Sequence, residues 1–128
     1  MSRLPRISEA EWEVMQVVWD GAPIGASEIV EQLAPASGWN HRTIRTMLNR
    51  LVSKGALAYR EQGNRYLYRA RVKRESYVRE HSRSFVDKIF SGDAGSMLVH
   101  FVENENLSED ELARLRKVLN QQISKRGK

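Results

Sequence analysis

The chain has 128 residues, enough for about one domain of ordinary size. Lys and Arg number 21 against 16 Asp and Glu, a formal charge of +5, and 41% apolar with 29% charged residues excludes an intrinsically disordered polymer. No apolar run approaches the ~18–20 residues of a membrane span, Met1 to Arg6 lacks the apolar stretch of a secretory signal, and the absence of cysteine excludes disulfides, thiolate metal sites and a Cys nucleophile.

Ser8 is placed to cap a first helix, with Glu11 completing a capping box and Ile7 and Trp12 a hydrophobic staple. Trp12, Met15, Val18 and Trp19 recur at the helical period and are expected in the core, and Asp20-Gly21 ends the helix. A short second helix is predicted from Ala26 to Ala34, with Gly25 as a weak cap and Ile29, Val30 and Leu33 facing inward. Pro35, Ser37 and Gly38 read as the following turn.

The third helix begins after Asn40 and stops at Gly55, a left-handed C-cap. Ile44, Met47, Leu48, Leu51 and Val52 fall on one side of it. Arg42, Thr46, Asn49 and Ser53 fall opposite, flanked by Arg45 and Arg50. A surface helix normally mixes Glu with Lys or Arg on its wet face; this one carries no acid at all.

Two strands follow, Leu57–Arg60 and Arg65–Arg69, joined by Glu61-Gln62-Gly63-Asn64 and rich in Tyr59, Tyr66 and Tyr68. Three helices and a hairpin in this order make a winged helix-turn-helix, with Gly38 to Asn40 in the turn before the third helix. Beyond Val72 three more helices are predicted: Glu75 to Phe90, Ala94 to Glu103, and a last one opened by a Ser108/Glu111 capping box. They are too few to bury their own apolar residues. Phe85, Ile89, Met97, Leu98, Phe101, Leu112, Leu115, Val118 and Leu119 are therefore expected to meet a second copy of the chain, with Phe101 buried. The fold class is mainly α with a small β-wing: a DNA-binding domain over 1–72 and a helical dimerisation domain over 73–128.

The charge is local. Residues 40–74 hold ten basic side chains and one acid, Glu61, a charge of +9 inside a chain of +5. A window so poor in acids is the electrostatic footprint of a polyanion site. As N-cap, Asn40 leaves the first amides of the third helix to face a phosphate. His41, Arg42, Thr43, Arg45, Thr46, Asn49 and Arg50 follow on that helix, and Arg60, Asn64 and Arg65 surround the wing turn. Arg pairs with guanine, Asn with adenine and a Thr methyl with thymine, while any of the basic groups can instead serve a phosphate. A double-stranded DNA operator is the first partner this face fits; RNA or an acidic protein is the alternative.

Catalysis finds little support. His41, His81 and His100 stand apart without metal-ligand spacing. Glu9, Glu11 and Glu13, like Glu109, Asp110 and Glu111, crowd a helix start, where the dipole accounts for them. No glycine loop or nucleophile elbow is present. The expectation is a cytoplasmic non-enzyme without cofactor or metal.

ISEAEWEVMQVVWD, ASEIVEQL, HRTIRTMLNRLVSKGAL and RYLYRARV, followed by FVDKIFSGDAGSMLVHF, resemble the penicillinase repressor family of the BlaI/MecI type, from about Ile7 to Leu119. The resemblance implies a homodimer whose N-terminal winged helices bind a palindromic operator and whose C-terminal helices join the copies. It implies repression of β-lactamase or related genes, hence a part in antibiotic resistance, relieved when a membrane sensor-protease signal leads to cleavage in the C-terminal domain. The family's scissile Asn-Phe bond maps onto His100-Phe101, where Phe101 matches and His replaces Asn. Related copper-responsive repressors carry a cysteine-rich metal site, which this chain lacks.

Overall fold

The computed structural model describes residues 4–127; Met1 to Arg3 of the N-terminal segment lie outside the described residues. The chain divides into two compact units, one running to Glu80 and the other starting at His81. In the first, the order is α1 (Glu9–Gly21), β1 (Ile24–Gly25), α2 (Ala26–Ser37), α3 (His41–Lys54), β2 (Leu57–Gln62) and β3 (Arg65–Ala70). Helix α4 (Arg74–Ile89) crosses the division, and α5 (Ala94–Asn104) and α6 (Glu109–Arg126) complete the second unit. The first unit is a winged helix: a helix-turn-helix backed by a three-stranded antiparallel sheet of order β1-β3-β2.

Helix α1 starts as its capping box dictates. Ser8 Oγ accepts the Glu11 amide at 3.1 Å, and the Ser8 amide donates to Glu11 Oε1 at 3.0 Å. Its core face is Val14, Met15 and Val18 rather than the tryptophans. Trp12 and Trp19 are half-buried one position to the side, their rings 5.1 Å apart and edge-on. They form a satellite cluster with Tyr77 of α4, whose ring lies 6.0 Å from Trp12 and 6.1 Å from Trp19. The Trp19 indole N–H donates to the Val72 carbonyl at 3.0 Å, and the Tyr77 hydroxyl donates to the Pro5 carbonyl at 2.5 Å. Burial there pushes the Tyr77 phenol up to about 12. This cluster carries the compact unit past Val72 to Glu80.

Helix α2 outlasts its sequence-based expectation, continuing through Pro35 to Ser37. Proline has no N–H for the carbonyl four residues back, yet this far along the helix only one bond is lost. Ser37 Oγ donates to the Leu33 carbonyl at 2.7 Å, and the Gly38 amide closes on Ala34 at 3.0 Å with φ at +77°. The two-residue strand β1 adds to the two strands expected from the sequence. It pairs Ile24 with Tyr68 and Gly25 with Leu67, so the sheet has three strands rather than a lone hairpin. The hairpin is also tighter than predicted: Gln62 pairs with Arg65, leaving Gly63-Asn64 as a two-residue turn with Gly63 at φ +64°.

Behind these elements sits one apolar core, with Ile29, Val30 and Leu33 from α2, Ile44, Met47, Leu48 and Leu51 from α3, and Leu57 and Tyr68 from the sheet. One acid enters it. Glu11, 3% exposed, takes the Lys54 ammonium at 2.5 Å, and Lys54 also donates to the Arg6 carbonyl. Burial acts to raise the Glu11 pKa, but the Lys54 hydrogen bond and charge and the Ser8 bonds hold it below the ordinary glutamate value. A lowered folded-state pKa means that the stabilisation is complete above the ordinary glutamate range and is lost as pH falls through the folded value. Glu11→Gln is expected to cost about 1–3 kcal/mol at pH 7. Urea denaturation repeated at progressively more acid pH, below the ordinary glutamate range, should find that difference shrinking as the Glu11 carboxylate takes up its proton.

In the second unit, Ser91 at φ +49° and Gly92 at φ +85° break α4 from α5. Asp93 caps α5 through the Ser96 amide, and the expected Ser108/Glu111 box opens α6. No residue of α5 or α6 is buried. Phe101, expected inside, is 39% exposed, because a single copy provides nothing to cover it. Phe85, Ile89, Leu98, Leu112, Val118 and Leu119 are likewise exposed, while Met97 and Leu115 are half-buried.

Candidate nucleic-acid interface

Helix α3 presents two chemically distinct faces. Ile44, Met47, Leu48 and Leu51 face the core, whereas His41, Arg42, Thr43, Arg45, Thr46, Asn49 and Arg50 are all exposed. The acid-free wet face read from the sequence is therefore a continuous solvent surface. Asn40 caps the helix, its side chain accepting the Thr43 amide at 2.8 Å. That amide is thus occupied, so of the first amides expected to face a phosphate the Thr43 one is already spent on the cap. Beside α3, a groove against α2 is lined by Ser27, Glu31, Ala34 and Pro35 together with His41 and Arg45.

The β2–β3 hairpin also has two faces, fixed by strand alternation and register. Tyr59, Tyr66 and Tyr68 share one, with Tyr59 and Tyr66 rings 4.8 Å apart and Tyr59 and Tyr68 rings 5.7 Å apart. Tyr68 closes the core, and burial, together with the charge of Tyr59, raises its pKa despite the Arg45 guanidinium nearby. Arg60, Arg65, Leu67 and Arg69 share the opposite face. Arg60, Asn64 and Arg65 are exposed, as the wing reading requires.

Three members of the basic window are already engaged, two of them with an acid. Lys54 is spent on buried Glu11. The Arg74 guanidinium donates to Gln16 Oε1 at 3.1 Å, and Arg65 is paired with Glu28 of α2. None of these pairings could be found by local pattern, since the partners stand 37 to 58 residues apart. Among the described residues no group of His, Cys, Asp or Glu is arranged to hold a metal, and no helix is long and apolar enough to cross a membrane.

The penicillinase repressor family model matches residues 7–121. The chain belongs to the penicillinase repressor family. It is 37% identical to the penicillinase repressor of Bacillus licheniformis over 119 residues, covering 93% of each chain. To the methicillin resistance regulatory protein MecI of Staphylococcus aureus it is 35% identical over 114 residues, 89% of this chain and 93% of that one. The solved structure of monomeric Bacillus licheniformis BlaI in complex with the blaP half-operator superposes with a TM-score of 0.54 at 39% identity, over 60% of this chain and 94% of that one. For this penicillinase repressor relative the winged-helix fold is thus shared with a DNA-bound structure, and the acid-free face of α3 lies on the second helix of its helix-turn-helix.

Proposed function

We propose that this chain is a cytoplasmic, homodimeric, sequence-specific DNA-binding repressor acting on a palindromic operator of a β-lactamase or related gene, without catalytic activity or cofactor. One observation carries the reading: the exposed face of α3 holds Arg, Thr and Asn with no acid, directly behind a core stripe that anchors the helix. The DNA-bound relative and the family support the same partner. Arg42, Thr43, Arg45, Thr46 and Asn49 reach base edges in the major groove, with Asn40, His41 and Arg50 beside them, and Arg60 and Asn64 at the wing meet the backbone. The exposed apolar residues of α4, α5 and α6 join two copies, so that one dimer spans two half-sites.

Relief of repression by a sensor-protease signal belongs to the same proposal. His100 and Phe101 are both exposed on α5, and a cut between them would separate Met97 and Leu98 from the apolar row of α6. Local unwinding must come first, since the bond lies within α5, where the Asn104 side-chain Nδ2 also donates to the His100 carbonyl at 2.9 Å.

The test is a gel shift on the inverted repeat upstream of the neighbouring genes, with random duplex in excess as competitor. A repressor keeps its operator complex under that competition. Equal binding to both duplexes, or preference for RNA or an acidic protein, overturns the reading.

A further inference from the structure

The Arg65–Glu28 pair stands apart from the other ion pairs of the molecule because one partner belongs to the basic window and both remain in solvent, with side chains 60% and 51% exposed. Three elements build it. Arg65 is the first residue of β3 after the wing turn, and Glu28 lies in the first turn of α2, where its carboxylate also takes the Gly25 amide at 3.3 Å. Gly25 of β1 pairs with Leu67, on the same face of the sheet as Arg65. Having no side chain, it leaves open the path by which the guanidinium reaches back to Glu28. A Cβ there would stand 2.7 Å from Arg65 Nη2 and 3.0 Å from Glu28 Oε1.

We propose that Glu28 is an intramolecular competitor that holds the Arg65 guanidinium in place of a DNA phosphate and so limits the sequence-independent part of DNA binding. The proposal rests on the reading of the chain as a DNA-binding protein. A carboxylate and a phosphate oxygen offer the guanidinium the same charge-assisted, forked hydrogen bonds. While Glu28 occupies it, Arg65 neutralises no phosphate and releases no counterion. Base contacts from α3 are untouched by the pair, so its effect falls on the phosphate contribution that operator and random duplex share, and lowers both affinities alike. The pair is solvated and weak, so opening it leaves the fold intact.

Counterion release gives the experiment its readout. Each phosphate neutralised adds about 0.9 to the slope of log K against log salt, a further ~3.5-fold loss of affinity between about 50 and 200 mM. Fluorescence anisotropy on random and operator duplexes at several salt concentrations compares wild type with four variants. Glu28→Gln frees Arg65 and is expected to steepen the slope on both duplexes by about 0.9, with roughly two- to fourfold tighter binding at low salt and an unchanged operator preference. Gly25→Ala opens the pair with no change of net charge and is expected to do the same. Glu31→Gln removes one exposed charge from the same helix and should leave the slope unchanged. Arg65→Gln should also leave it near wild type, because the cation it removes was already committed to Glu28.

Equal slopes for Glu28→Gln and Glu31→Gln overturn the proposal, as does a slope flattened by about 0.9 in Arg65→Gln. Wild-type protein that binds no duplex overturns instead the reading of the chain as DNA-binding.

Discussion

Replacing Arg42 and Arg45 together by alanine is expected to abolish operator preference while leaving the thermal melt unchanged. Both side chains project from the exposed face of α3, and the residues that anchor the helix, Ile44, Met47, Leu48 and Leu51, lie on the other side. Removing the arginines therefore takes nothing from the core. A bidentate arginine–guanine contact contributes about 1–3 kcal/mol of discrimination, a factor of roughly five to 150 for each. A phosphate contact would behave differently, weakening all sequences alike and flattening the salt slope by about 0.9. Titrations of each single variant on operator and random duplex at several salt concentrations assign the two roles. Wild-type operator affinity in the double variant would remove α3 from the interface.

A chain truncated after Glu80 is expected to fold, to sediment as a monomer, and to bind the full operator about a hundredfold or more weakly than the intact chain. The winged-helix core lies wholly within the first unit, so the truncated chain keeps every residue that core uses. What it loses is the row of exposed apolar side chains from Phe85 on α4 to Ile123 on α6, the latter 67% exposed. On the proposed reading this exposed apolar row is where the second copy docks. Joining two half-sites makes the second binding event intramolecular, and that gain disappears with the dimer. Truncation after Arg71 should do additional damage, because it removes the Val72 carbonyl that receives the Trp19 indole and the Tyr77 ring that packs on both tryptophans. Its melting temperature should fall below that of the longer fragment. Sedimentation of the intact chain as a monomer at micromolar concentration would overturn the dimer.

The amino-acid sequence by itself determined those features whose partners stand three or four residues apart. The Ser8/Glu11 and Ser108/Glu111 boxes, the Asn40 cap and the left-handed Gly55 all lie where local chemistry puts them. The two faces of α3 follow from the helical period, and with them most of the candidate interface was legible before any fold was known. Local rules misled where a local penalty was small enough to be absorbed, as at Pro35, or where a period was shared by core and rim, as for Trp12 and Trp19 beside Val14.

Tertiary structure alone decided which charges are available. Glu11 read as a dipole-compensating acid, and only packing of α1 against the end of α3 turned it into the buried partner of Lys54, 43 residues away. Arg65 read as a free wing cation, and only the pairing of β1 with β3 brought it to Glu28, 37 residues away. The reason is physical. Hydrogen-bonded caps and helical periodicity depend on backbone geometry within one turn, which the sequence writes out in order. An ion pair between distant residues depends on which elements pack together, and a two-residue strand such as β1 leaves no periodic signal from which that packing could be read.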